Sequence, residues 1–226
     1  MSASSPAPRL LHDLPAVTVR TCVVSEMQNN VFLLTSKTTG AQILIDAADD
    51  AEAIEALIAS AAEDTPCEAH LDLLVTTHRH WDHIRATSAV LSARPARHAA
   101  GADDADEIES ETGTTVTDRL QHEGAVGVDG IELDVIGLRG HTPGSVALVL
   151  QPCPDEPTVL FVGDSLFPGG VGKTWSDADF RCLLSDVREH LFEVYDDDTI
   201  VHPGHGDSTT LGAERPHLEE WAERGW

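Results

Sequence analysis

Apolar and polar positions follow two different periods along this chain. Short β-branched runs at VTVRTCVV (17–24), VFLLTS (31–36) and QILIDA (42–47) predict three strands, with Gly40 marking the turn between the last two. AEAIEALIASAA (51–62) instead carries Ile54, Leu57 and Ile58 at helical spacing. LDLLVTT (71–77) is a continuous apolar run, the pattern of a strand buried on both faces. A helix is expected from about 84 to 93, and GADDADEIESETG (101–113) reads as an exposed acidic loop or short helix. Strands recur at AVGV (125–128), IELDVIGL (131–138), SVALVLQ (145–151) and TVLFVGD (158–164), separated by Gly and Pro. DADFRCLLSDVREHLFEVY (177–195) repeats Phe180, Leu183, Leu184, Val187, Leu191 and Val194 on one helical face, with Asp177 as the expected cap. TIVHPGHG (199–206) is a last short strand running into a loop, and 213–223 a closing helix. The Ser-, Ala- and Pro-rich residues 1–15 are expected to be loosely held, leaving 16–226 as one domain. The two halves share an outline of strands and helices without a sequence repeat. That outline predicts an α/β sandwich, two packed sheets with helices outside.

Composition narrows the function classes. The 226 residues are 41% hydrophobic, enough for a sizeable core. Apolar runs such as VALVL (146–150) are too short to span a membrane. The start, MSASSPAPRLLHDLP, lacks a basic region followed by an apolar stretch, so a cytoplasmic location is expected. The 39 acidic against 14 basic residues give a net charge of −25. Such a field repels nucleic acids and anionic membranes, so neither is an expected partner. It also singles out the only two lysines, Lys37 and Lys173. The cysteines at 22, 67, 153 and 182 form no C-x-x-C pair and are expected as free thiols.

The candidate chemistry begins at THRHWDH (77–83), directly after a buried strand, where open α/β folds often place their sites. His78 and His80 are two apart, so an extended backbone points both imidazoles to one side. Asp82 and His83 begin the next turn and can face a second position. This spacing suits two neighbouring metal centres, and imidazole with carboxylate suits zinc, iron or manganese. Later loops carry further ligand types. His141 stands in GHTPGS (140–145), Asp164 in FVGDSLF (161–167) and His205 in HPGHG (202–206).

Taken in order, HRHWDH, GHTPGS, VGDSLF and PGHG resemble the metallo-β-lactamase fold superfamily, and LIDA (44–47) resembles its early strand ending in Asp. The similarity covers roughly residues 17–206, and the nearest branch looks like the glyoxalase II-like hydrolases. The resemblance implies a four-layer αβ/βα sandwich. It implies that His78, His80 and His141 hold one metal, Asp82, His83 and His205 a second, with Asp164 bridging them. Two divalent ions are then expected, zinc foremost, with iron or manganese as alternatives. The implied reaction is hydrolysis of a thioester of a low-molecular-weight thiol, with Asp82 also orienting the attacking water. Lys173, in FPGGVGKT (167–174), falls where glyoxalase II proteins carry a basic residue for a glutathione carboxylate, and so is implied to bind an anionic part of the substrate.

Some alternatives stay open at this level. Glyoxalase II proteins carry a long C-terminal helical extension, whereas 21 residues follow His205 here, which leaves another thiol carrier open. An iron persulfide dioxygenase, using mainly His78, His141 and Asp164, resembles the same branch. A non-catalytic metal-binding module is the third reading. Trp81 either walls the metal site or packs in the core, and Trp221 and Trp226 are expected to pack over the sandwich. His202 is expected beside the ligands or facing solvent rather than among them. His12, His70, His98, His122, His190 and His217 read as structural or exposed.

Overall fold

The computed structural model describes residues 7–151 and 156–225. Cys153 and Trp226 lie outside them. One sheet is built in chain order from β1 (Arg9–Asp13), β2 (Val17–Val24), β3 (Asn29–Ser36), β4 (Ala41–Ile45), β5 (His70–Thr76), β6 (Arg97–Gly101) and β7 (Asp118–Leu120). The first four strands are antiparallel, and β4 to β7 pair in parallel. The second sheet uses β8 (Gly124–Val128), β9 (Ile131–Gly137), β10 (Val146–Leu150) and β11 (Val159–Gly163). After a hairpin, β12 (Leu166–Phe167) with β13 (Gly170–Val171), it is completed by β14 (Ile200–Pro203) and β15 (Thr209–Thr210). Its order is β15-β14-β11-β10-β9-β8, and β14 runs parallel to β11. The helices are α1 (Ala51–Ser60), α2 (Trp81–Ile84), α3 (Thr87–Ala93), α4 (Ala105–Thr112), α5 (Asp177–Val187), α6 (Leu211–Glu214) and α7 (Leu218–Arg224). None of the described helices is long and apolar enough to cross a membrane.

Alternation along single strands explains the layers. In β4 and β5, Ile43, Ile45, Leu73 and Val75 enter one apolar cluster, while Leu44 and Leu74 enter another. In β10 and β11, Val146, Leu148, Val159 and Phe161 join that first cluster, which therefore lies between the sheets. Ala147, Val149, Leu160 and Val162 face the other way, onto Leu183, Val187 and Trp221. The cluster holding Leu44 and Leu74 is closed by Ile54, Leu57 and Ile58 of α1 and Val90 of α3. Helix, sheet, sheet, helix is thus the order of layers, as the resemblance implied. Continuous apolar strands follow directly, because both faces of each are covered.

Several expectations need correction. Residues 9–13 are not loose, since β1 pairs with β2 along the sheet edge. The helix from 177 is capped by Ser176, whose hydroxyl accepts from the Asp179 N–H at 3.2 Å, and not by Asp177, which is already helical. That helix leaves α geometry at Val187 and continues as a π turn over Arg188–Phe192. The changed pitch takes Val194 off the buried stripe, and it stands 63% exposed. The expected helix at 84–93 is two pieces, and the first starts early enough to carry Asp82 and His83. Strands β6 and β7 were not anticipated, because RHAAG and DRL carry few β-branched or aromatic residues. The closing helix divides into α6 and α7, with Trp221 buried under it. Cys22, Cys67 and Cys182 are free thiols.

Candidate metal centre

The segments after β5, β9, β11 and β14 bring all seven sequence-predicted ligand residues together. His78, His80 and His141 form one group, Asp82, His83 and His205 another, and His78, His83 and Asp164 a third linking them. Within each group the candidate ligand atoms lie within 4.8 Å of one another. Backbone bonds stitch the sheets together here. The Val146 N–H donates to Thr77 O at 3.0 Å and the Asn30 N–H to Gly204 O at 2.8 Å, while within the second sheet the Gly204 N–H donates to Gly163 O at 2.8 Å. Gly204 is required by this crowding, since a Cβ there would come within 2.4 Å of Asp164 Oδ1 and 2.7 Å of His83 Cε1.

Three of the inward-facing imidazoles are aimed by a bond to a carbonyl or carboxylate at their other nitrogen. His141 Nδ1 donates to the Lys173 carbonyl at 2.7 Å, and His205 Nδ1 to the Met27 carbonyl at 2.8 Å. His83 Nδ1 bonds Asp46 Oδ2 at 2.8 Å. Asp46 sits just past β4 in a left-handed conformation, φ 57°. Its two oxygens also accept from the Thr77 N–H and hydroxyl, both at 2.8 Å. In each case Nε2 is left pointing at the cluster, the arrangement found around metal-ligating histidines.

The donor set fits a cation. His78 Nε2, His141 Nε2 and Asp164 Oδ1 are buried and have no hydrogen-bond partner. Leaving three such atoms unmatched in one cluster is costly unless a shared partner satisfies them. Burial first, and then neighbouring imidazoles, holds His78 and His80 neutral, with His80 at about 4. Burial likewise lowers His141. Neutral imidazoles present free lone pairs. Around His83 and His205 burial is outweighed by the carboxylates Asp46, Asp82 and Asp164, which draw positive charge to the pair. Their Nε2 atoms are 3.1 Å apart, so one proton is shared across that contact rather than two facing each other. Burial would raise Asp82 and Asp164, yet His205 and His83 hold both carboxyls below their usual range.

Two supporting residues had escaped sequence reasoning. Asn29 opens β3, and its amide donates to Asp82 O and Oδ2, both at 3.1 Å. Asp104 is fully buried and joins the loop of His78 and His80 to the loop of His141. It accepts from the Arg79 N–H at 3.1 Å, the Thr142 hydroxyl at 2.5 Å and the Gly144 N–H at 2.9 Å. In the sequence it is hidden within an acidic run. Trp81 is not core. It stands 57% exposed with the Arg85 guanidinium 3.6 Å from its ring centroid. Lys173 is exposed, with its ammonium 4.5 Å from the Trp175 ring. His202 is buried away from the three ligand groups, bonded to His12.

Comparison with known proteins gives the family. The Metallo-beta-lactamase superfamily model matches residues 24–212. The chain therefore belongs to that superfamily, whose members bind divalent metals. It is 38% identical over 89 residues to the hydroxyacylglutathione hydrolase GloC of Haemophilus influenzae, covering 39% of this chain and 40% of that protein. It is 31% identical over 197 residues to a hydroxyacylglutathione hydrolase of Thermosynechococcus vestitus, covering 85% and 72%. The matched segments span only 40–44% of the length of the first curated relatives. Among solved structures, ETHE1 from Myxococcus xanthus superposes with a TM-score of 0.72 at 25% identity, over 88% of this chain and 82% of that one.

Proposed function

We propose that this chain is a dinuclear metal-dependent hydrolase acting on a thioester of a low-molecular-weight thiol. The observation that carries the reading is the convergence of seven donor side chains, three of which hold buried atoms without a partner. His78, His80 and His141 would hold one ion, Asp82, His83 and His205 the other, with Asp164 between them. Zinc suits this set, as do iron and manganese. Bound there, a divalent pair supplies a water nucleophile at neutral pH and a Lewis acid for a carbonyl.

The chain's own residues do the positioning. Asn29 fixes the Asp82 carboxylate, which orients the attacking water by accepting its hydrogen bond. Asp46 and the carbonyls of Lys173 and Met27 keep three imidazoles from rotating as substrate enters. The exposed Lys173 offers a cation to an anionic part of the thiol. A thiol, with pKa of about 8.5, leaves as thiolate without a dedicated acid. The hydroxyacylglutathione hydrolase relatives support a thioester substrate, and the acidic surface disfavours nucleic acid.

An iron dioxygenase acting on a persulfide would need only His78, His141 and Asp164. The assembled Asp82–His83–His205 group favours the hydrolase, because two-ion chemistry needs that second set. The test is thiol release from a thioester panel that includes S-lactoylglutathione, with and without chelator. Turnover abolished by chelator is expected. Oxygen uptake on a persulfide without thioester cleavage would overturn the reading.

A further inference from the structure

Among the described residues, five large hydrophobic side chains are strongly exposed: Leu10, Met27, Trp81, Trp175 and Val194. Single exposed hydrophobes are ordinary on a protein surface, but three of these five are tied to ligand residues, Trp81 by adjacency in the chain, Met27 through its carbonyl and Trp175 through its ring. Trp81 stands in sequence between His80 and Asp82, at the start of α2. The Trp175 ring is edge-on to His80, with centroids 6.4 Å apart. Met27 receives the His205 Nδ1 bond on its carbonyl while its residue remains 48% exposed. Half-buried Phe167 adds a ring 6.5 Å from that of His205. Both exposed indoles are steadied by a cation, Arg85 at 3.6 Å from Trp81 and Lys173 at 4.5 Å from Trp175. A chain with only 14 basic residues thus places two of them at this rim.

We propose that Met27, Trp81, Phe167 and Trp175 form an apolar collar that binds the acyl part of the substrate, selecting aromatic or bulky aliphatic acyl groups over small hydroxyacyl groups. This rests on the hydrolase reading, which says that an acyl group is what the site releases. An apolar acyl group gives up its hydration against the two indoles, whereas a hydroxyacyl group gains little there and must desolvate its hydroxyl. Rings held in place by a cation lose little freedom on binding, so the gain is kept as affinity.

The carboxylic acid products test the collar without knowledge of the thiol. Metal-loaded full-length chain is titrated calorimetrically with phenylacetate and with lactate. The expected result is phenylacetate binding about 100-fold tighter than lactate. Trp81→Ala and Trp175→Ala should each cut that preference about tenfold, with lactate binding and metal content unchanged. Equal affinities, no measurable binding of phenylacetate, or a preference insensitive to both variants would overturn the collar. So would a concentration-dependent dimer that shields both indoles from acrylamide quenching, because a second copy would then be the occupant. Cleavage is not read in this titration. Acyl preference without thiol release keeps the collar and sinks the hydrolase; thiol release without acyl preference does the reverse.

Discussion

His98 and His202 are as deeply buried as His78 and His141, at 1% and 3% exposed against 1% and 5%, yet the two pairs are treated differently by the chain. His98 is bonded at both ring nitrogens, to Thr76 Oγ1 at 2.9 Å and Thr114 Oγ1 at 3.2 Å. His202 is bonded at both as well, to His12 Nε2 at 2.8 Å and Ser208 Oγ at 2.6 Å. His78 and His141 are each bonded at Nδ1 only, and their buried Nε2 atoms face one another's groups without a hydrogen-bond partner. An imidazole that the chain satisfies completely holds the fold together. One that is aimed on one side and open on the other is built as a donor.

Exchanging the two kinds of histidine gives the largest effect. His78→Ala should lower thioester turnover about 1000-fold and reduce bound metal, while the metal-free protein loses little stability to urea. His98→Ala should do the opposite, keeping turnover and costing about 2 kcal/mol by stranding two threonine hydroxyls. Next come the carboxylates behind the ligands. Asp46→Asn and Asp104→Asn should each weaken metal binding about 10–100-fold in competition with a chromogenic chelator, Asp46 through His83 and Asp104 through the loops of His78, His80 and His141.

A smaller effect appears in pH dependence. Burial lowers His98 to about 4, whereas an unfolded histidine titrates near 6.5. The unfolded state therefore takes up a proton first as pH falls. The His98 contribution is complete above about 6.5 and is lost progressively toward 4, by about 2 kcal/mol at pH 5. Urea unfolding of the metal-free protein at pH 7 and pH 5 should show this loss, and His98→Asn should remove that part of the slope. Last, Val194→Thr should change stability by less than about 0.5 kcal/mol, because Val194 left the buried face at the π turn.

The sequence made the ligands easier to read than their supports. His78, His80, Asp82 and His83 sit in one short run at a strand end, and His141, Asp164 and His205 each stand in a Gly-flanked loop, so density and position marked them out. Asn29 and Asp104 act through contacts 53 and 38 residues away, to Asp82 and Thr142, and nothing near either in sequence records those partners. The anticipated strands are runs rich in β-branched or aliphatic residues, apolar on both faces in β4 and β10 and alternating with exposed acidic residues in β9. Edge strand β1 and the short β7 are held by pairing more than by their own composition, and so left little pattern. Trp81 shows the same limit from the other side. Its aromatic character fitted either a wall of the metal site or core packing, and its 57% exposure on a four-residue helix beside Arg85 excludes the core.

The central claim is that the two groups of ligands form two metal sites. The most direct measurement is the number and identity of metal ions per chain in protein purified without added metal, repeated on His205→Ala. Two divalent ions per chain, falling to about one in the variant, is the predicted result. A single iron per chain, unchanged by His205→Ala, would contradict it.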